Sequence, residues 1–311
     1  MPDAVPTRPL RPVQPEALAH IHRRMGRAAE APWLHAEVAR RMAERLGLIR
    51  LQPRALIDWC SFNGAAQALL QQAYPQARVL RVEPDAALLQ RGRAAAATPW
   101  WSPRRWAGPE IAWATPPQVA LGQAQLLWAN MMLHLDADPM ALLQQWQRAL
   151  AVDGFLMFST LGPGSLQGLG QIYARNGWPA PFAPFVDMHD LGDMLVGAGF
   201  ADPVMDQEIL TLTWPDADAL LRELRGLGGN AEPSRSPGLR TPRWRQQLCA
   251  QLQPLQGPDG RLQLDFELVY GHAFRAAPKP RVAAQTTVAL EDLRAMARSP
   301  RRASGPGDGL G

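Results

Sequence analysis

Asp58-Trp59-Cys60-Ser61-Phe62-Asn63-Gly64 follows a short apolar run, and Glu83 closes a second run at Arg78–Val82. In a nucleotide-binding α/β fold the ligand sits outside the carboxyl ends of the strands. A glycine in the first strand-to-helix turn lets the backbone approach it, and an acid ending the second strand accepts bonds from ribose hydroxyls. Asp58, Gly64 and Glu83 are placed for these roles, one βαβ unit apart. The turn holds one glycine where a dinucleotide fingerprint holds three. Spacing alone therefore leaves open that Gly64 only opens a helix and that Glu83 is a solvated strand-end charge.

Other residue types could do chemistry. His134 follows an apolar run and faces the expected pocket, either as a substrate-side group or as a histidine bonded to backbone. His189 lies between Asp187 and Asp190, but three ligands within four residues lack a common helical face, so a structural cap on the following helix is expected instead. His272 is read as structural, on an edge strand. The tryptophans between Trp100 and Trp113 are expected to be packing rather than an acyl pocket. Arg222, Arg225, Arg235, Arg240, Arg243 and Arg245 form the densest basic stretch, which is either a solvated surface or a face toward an acidic partner.

These residues need a scaffold. Glu16 to Leu46 has helical periodicity, with Val38, Met42 and Leu46 four apart and Gly47 as the stop. Ala55–Trp59 reads as a buried parallel strand. A helix through Ala65–Ala73, a strand at Arg78–Val82 and a helix from Pro84 to about Ala97 complete a βαβ unit. Further strands are expected near Ile111, at Leu126–Ala129 and at Phe155–Ser159. Helices are expected at Leu142–Ala151 and Asp190–Ala198, and a glycine-rich segment from Gly162 to Gly170 is expected to lead into a less regular region. Ile209–Trp214 and Phe266–Ala273 suit an antiparallel pair at a sheet edge.

The 311 residues carry 47% apolar and 19% charged side chains, which is globular composition. A net charge of +4 does not suggest a nucleic-acid binder. Two cysteines, Cys60 and Cys249, can build neither a disulfide framework nor a four-cysteine zinc site, so no metal is expected. No apolar run of about 18 residues occurs, so no membrane span is expected and a cytoplasmic location is.

Longer motifs are more specific. Leu127-Trp128-Ala129-Asn130-Met131-Met132-Leu133-His134 and Gly154-Phe155-Leu156-Met157-Phe158-Ser159-Thr160-Leu161-Gly162-Pro163-Gly164 resemble the fourth- and fifth-strand motifs of S-adenosylmethionine-dependent methyltransferases. Phe185-Val186-Asp187-Met188-His189-Asp190-Leu191-Gly192-Asp193 and Phe266-Glu267-Leu268-Val269-Tyr270-Gly271-His272-Ala273 resemble later signatures of one branch, the malonyl-acyl-carrier-protein O-methyltransferases of biotin synthesis. The resemblance covers about His20 to Phe274. It implies a class I, Rossmann-like fold: α/β, with a seven-stranded, mostly parallel sheet, helices on both faces and an antiparallel edge hairpin. It also implies S-adenosylmethionine as cofactor, held by Asp58, Gly64, Glu83 and Asn130, with Asn130 and His134 lining the pocket near the methyl group. The implied reaction is methylation of the free carboxyl of malonyl-acyl-carrier protein, the implied partner that carrier protein.

The chain departs from the family pattern in several places. Cys60 and Phe62 stand where the loop's first two glycines belong, and Gln125 replaces an acid before the fourth-strand motif. No adenine-side acid is found among Trp113, Ala114 and Thr115. A family tyrosine is replaced near Pro32 and Trp33, and Gly168 or Gly170 stands where an arginine is usual. A second reading follows: a methyltransferase fold that serves as a binding or assembly protein, or one that acts on another small acceptor. The expected organisation is a flexible arm at 1–15, a methyltransferase domain at 16–275 and a disordered tail at 276–311. Within the domain, 16–50 is helical, 51–161 forms the cofactor half, and 162–275 forms the substrate and edge-strand half.

Overall fold

The computed structural model describes residues 12–96, 110–236, 238 and 240–277. Most of the expected arm and tail, and the tryptophans from Trp100 to Trp106, lie outside these residues.

Seven strands form one sheet: β1 Ala55–Trp59, β2 Arg78–Val82, β3 Ile111–Ala114, β4 Ala124–Ala129, β5 Leu150–Leu161, β6 Phe200–Trp214 and β7 Leu262–Arg275. Their order is β3-β2-β1-β4-β5-β7-β6. The first five pair in parallel, and β7 runs antiparallel between β5 and β6. The expected edge pair is real but longer than its apolar runs. It is not a tight hairpin, since helices α9 Ala217–Gly226 and α10 Pro242–Gln251 join its strands. His272 therefore lies on an interior strand, and β6 is the edge. A register shift between Ala201 and Val204 bends that edge, a device that discourages further strand pairing.

Alternation along the strands divides the core into two layers. Leu56, Leu126, Trp128, Phe155 and Met157 point to one face, where α2 Trp33–Glu44, α4 Gln67–Ala73 and α7 Gln167–Arg175 pack. Ile57, Leu127, Ala129, Leu156 and Phe158 point to the other, with α1 Pro15–Gly26, α6 Pro139–Ala149 and α8 Met188–Gly197. The central strands read as unbroken apolar runs because both faces are buried.

Three expectations are corrected. The helical pattern from Glu16 to Leu46 is two helices, α1 and α2. Pro32 disfavours helical geometry at Ala31 and becomes the N-cap of α2. Helix α2 ends at Glu44, and Arg45–Leu48 form a 3-10 turn through the expected stop at Gly47. The glycine-rich segment gives rise to helix α7, where a Cβ on Gly168 would come within 2.7 Å of Leu255 Cδ2.

Candidate functional site

The carboxyl ends of β1, β2 and β4 meet below the loop Cys60–Ala65. Cys60 N–H donates to Val82 O at 2.8 Å, and Gly64 N–H closes the turn on Cys60 O at 2.8 Å. The turn requires left-handed backbone at its first position, and Cys60 adopts it with φ 54°. That geometry costs a residue with a Cβ about 1–2 kcal/mol. The loop thus keeps the conformation that glycine would supply although the residue has changed. The next four residues form a single helical turn, α3 Ser61–Gly64, which ends in a second left-handed residue, Ala65. Gly64 itself is not forced by packing, since an added Cβ would sit 3.7 Å from Trp59 O.

Both expected carboxylates end their strands inside the protein. Asp58 is fully buried; its Oδ2 accepts from Ser61 Oγ at 2.5 Å and its Oδ1 has no partner. Burial lifts its pKa to about 6, against the opposing pull of the Ser61 hydroxyl and the charge of Arg81. Glu83 is also fully buried. Its Oε1 accepts from the Phe62 N–H at 2.7 Å, and its Oε2 has no partner. Burial lifts its pKa to about 8, opposed by the Phe62 N–H and reinforced by the charge of Asp58. At neutral pH Glu83 is therefore mostly protonated, which removes an uncompensated charge from the interior.

Three elements close over Glu83. The backbone of Phe62 occupies one carboxylate oxygen. Arg91, from helix α5 Ala86–Ala96, lies 4.4 Å above the Phe62 ring and donates to the carbonyls of Gly26, Ala28 and Ala29 at and just after the end of α1. Helix α1 sets Ala17, Leu18, Ile21 and Met25 into one apolar cluster with Trp59, Cys60, Val82 and Met132. Both carboxylates are thereby enclosed by the chain itself.

Asn130 is brought to the same loop, but both polar atoms of its side chain are bonded within the protein. Its Nδ2 donates to His35 O at 2.7 Å and Gly64 O at 2.8 Å, and its Oδ1 accepts from Ser159 Oγ at 2.6 Å. It ties α2, α3, β4 and β5 together. His35, not singled out from sequence, shares this hub. Its Nδ1–H donates to Asn63 O at 2.8 Å, and burial lowers its pKa to about 4, so it is neutral. A histidine inside an apolar helical face, with Leu34, Val38 and Met42, was the available signal.

His134 sits in the turn after β4, buried, with Nδ1 3.3 Å from Thr160 Oγ1 and its ring against Phe185 at 5.9 Å. It lines a cavity of about 250 Å³, with Leu166, Tyr173, Phe182 and Phe266. Gln125 turns out to be structural: its Oε1 accepts from Arg54 N–H and Ala55 N–H at the opposite end of the sheet. His189 does not cap its helix. Asp187 does, accepting from His189 N–H at 2.8 Å, while the His189 ring is 85% exposed. In the basic stretch, Arg245 pairs with Asp218 and Arg240 stacks on Trp244.

The strand order with its antiparallel seventh strand, and the acids ending β1 and β2, define a class I methyltransferase fold. The YcgJ protein of Bacillus subtilis shares it, at TM-score 0.50 and 9% identity over 84% of this chain and 100% of that one. So does a candidate methyltransferase of Bacillus halodurans, at TM-score 0.51 and 12% identity over 76% and 99%. No protein-family model matches the chain. Curated relatives identify the branch. The malonyl-[acyl-carrier protein] O-methyltransferase of Laribacter hongkongensis is 38% identical over 80% of this chain and 84% of its own length. Those of Gallionella capsiferriformans and Halorhodospira halophila are 36% and 35% identical, over 79% and 88% of this chain and 85% and 91% of their own. The chain belongs to the malonyl-[acyl-carrier protein] O-methyltransferase family.

Proposed function

We propose that the protein transfers a methyl group from S-adenosylmethionine to the free carboxyl of a malonyl group on acyl-carrier protein, in the early biotin pathway. The observation that carries this reading at the site is the pair of buried, unpartnered acceptor atoms at the ends of β1 and β2, Asp58 Oδ1 and Glu83 Oε2. Orphaned buried acceptors are rare and mark a missing partner. Donors such as ribose hydroxyls suit them, so the polar set fits the cofactor. When bound, the cofactor supplies an electrophilic sulfonium methyl.

The protein's own residues then have modest tasks. A carboxylate is already nucleophilic at pH 7, so no strong base is required, and catalysis rests on alignment and exclusion of water. Glu83 and Asp58 hold the cofactor, with the Cys60–Gly64 loop beneath it. Asn130 acts through the loop, fixing the Gly64 carbonyl. His134 and the apolar cavity beside it orient the acceptor. Entry requires the Phe62–Arg91 contact and helix α1 to move away from Glu83. The basic stretch at Arg222–Arg245 supports docking of an acidic carrier protein, where charge mainly speeds encounter.

A second reading rests on the same closure: the fold persists as a binding protein with the crevice shut. Calorimetric titration with S-adenosylmethionine and S-adenosylhomocysteine separates the two. Micromolar binding is expected for the methyltransferase. If neither ligand binds, the double variant Cys60→Gly/Phe62→Gly tests whether those side chains alone shut the crevice, and binding restored in it assigns the loss to them.

A further inference from the structure

Arg81 is a buried cation that takes no part in the reaction proposed above. It stands on β2 in register with Asp58 of β1 and Trp113 of β3, so the three side chains point to the same face of the sheet. Its guanidinium lies 5.2 Å over the Trp113 ring. Among the described residues no carboxylate is within salt-bridge distance of it, and its Nε is buried without a hydrogen-bond partner. On the neighbouring strand Asp58 Oδ1 is buried without one too. A donor and an acceptor are thus left over on adjacent strands. Both residues line one small cavity, with Gln67, Leu70 and Tyr74 on the helical side and Ile111 on β3. Its volume is about 10 Å³, close to the least that one water molecule needs.

Buried polar atoms almost always have a partner. A leftover N–H and a leftover carboxylate oxygen that share a water-sized space are both satisfied by one water, which accepts from the first and donates to the second. The charges point the same way. Two buried acids, Asp58 and Glu83, face one buried cation, and Arg81 is the cation whose charge bears on both. The other titratable groups packed here add no positive charge: burial pushes up the Cys60 thiol and the Tyr74 phenol, and His35 is neutral. One guanidinium offsets one carboxylate. As a carboxylate, Asp58 accepts from Ser61 Oγ at 2.5 Å, and Ser61 Oγ accepts in turn from Gln67 Nε2 at 3.2 Å. A charge on Asp58 therefore ties the loop to the start of α4.

We infer that Arg81 is a positioning residue: through one water enclosed between them it keeps Asp58 a carboxylate aimed at Ser61, and so sets the loop Cys60–Ala65 over the strand ends. With Arg81 committed to Asp58, Glu83 is the acid left to hold its proton. A carboxylate oxygen accepts about two bonds, so the water leaves Oδ1 one for a cofactor hydroxyl. The inference deepens the proposed reaction and rests on it only for what the loop and Asp58 hold; the pairing of Arg81 with Asp58 stands without it.

Two measurements on the full chain without cofactor test it. A high-resolution crystal structure of the unaltered protein should show a water within hydrogen-bond distance of both Arg81 Nε and Asp58 Oδ1. A cavity without that water, or Arg81 turned out of it, overturns the inference. Carbon-13 NMR titration of the Asp58 carboxyl, assigned with Asp58→Asn, reads the charge. The midpoint, about pH 6 in the unaltered protein, should rise by about one unit or more in Arg81→Met, a tenfold change in ionisation. Arg81→Lys restores the charge and should bring the midpoint most of the way back, which a merely structural role would not do. An unchanged midpoint in Arg81→Met refutes the pairing, as does a midpoint in Arg81→Lys as high as in Arg81→Met. If Arg81→Met does not fold, the crystal structure decides alone. Failure of the cofactor to bind, with these results intact, would count against the proposed reaction only.

Discussion

Replacing Glu83 by glutamine tests the closed crevice directly, without reference to activity. Glu83 is fully buried, with one oxygen on the Phe62 N–H and the other unpartnered. Its pKa rises from an ordinary 4.5 to about 8 in the folded protein. An acid whose folded pKa lies above its unfolded one contributes most stability below the unfolded value, and that contribution is lost as pH rises toward the folded value. At pH 7.5 the unfolded carboxyl has been ionised by three pH units beyond its midpoint, while the folded one is still mostly protonated. At 1.36 kcal/mol per unit, the unaltered protein carries a penalty of about 4 kcal/mol. Glutamine keeps an acceptor for the Phe62 N–H and has no charge to desolvate. Glu83→Gln should therefore be more stable at pH 7.5 by up to about 4 kcal/mol, which corresponds to a rise in Tm of roughly 10 °C in a chain of this size. At pH 4.5 the gain should shrink below about 0.5 kcal/mol, because the carboxyl is then largely protonated in both states. Differential scanning calorimetry of both proteins from pH 4.5 to 8.5 gives the two curves. A gain that does not change with pH, or no gain at pH 7.5, would show that Glu83 is solvated in solution and that the crevice stands open.

Three further outcomes follow from the same geometry. Cofactor binding should release up to one proton at pH 7, because Glu83 must ionise to accept ribose hydroxyls; affinity then rises with pH and levels off above about 8. Titration in two buffers of different ionisation enthalpy measures this, and proton uptake contradicts it. Arg91→Ala removes three bonds to the carbonyls after α1 and the contact over Phe62, so it should cost about 1–3 kcal/mol and speed amide exchange around residues 26–29. Exchange there at the unaltered rate would mean that Arg91 is no latch. Asn130→Ala leaves the carbonyls of His35 and Gly64 and the Ser159 hydroxyl without their partner. A loss of at least about 3 kcal/mol by chemical denaturation is expected, and a loss below about 1 kcal/mol would deny it the role of hub.

Much of the scaffold was legible in the sequence. Ala55–Trp59 and Arg78–Val82 are strands with the expected bounds, because short segments rich in Val, Leu and Ile between breakers suit interior strands of a sheet covered on both faces. The edge strands were legible only in part. Apolar residues of β6 such as Val204 and Ile209 face solvent among polar neighbours, so the expected run Ile209–Trp214 marks less than half of its length. The glycines at 168 and 170 masked a helix, since propensity argued for a loop and packing against Leu255 overrode it.

The site divides in the same way. Local sequence determines that Asp58 and Glu83 end neighbouring strands and that Cys60 must adopt a conformation suited to glycine, because strand length and turn geometry act over a few residues. Sequence also determines the family, through motifs spread over most of the chain. Only the tertiary structure decides the state of those residues. Glu83 is held protonated because Phe62, Arg91 and helix α1 converge over it from three separate segments, and desolvation depends on every atom within several ångströms rather than on neighbours in the chain.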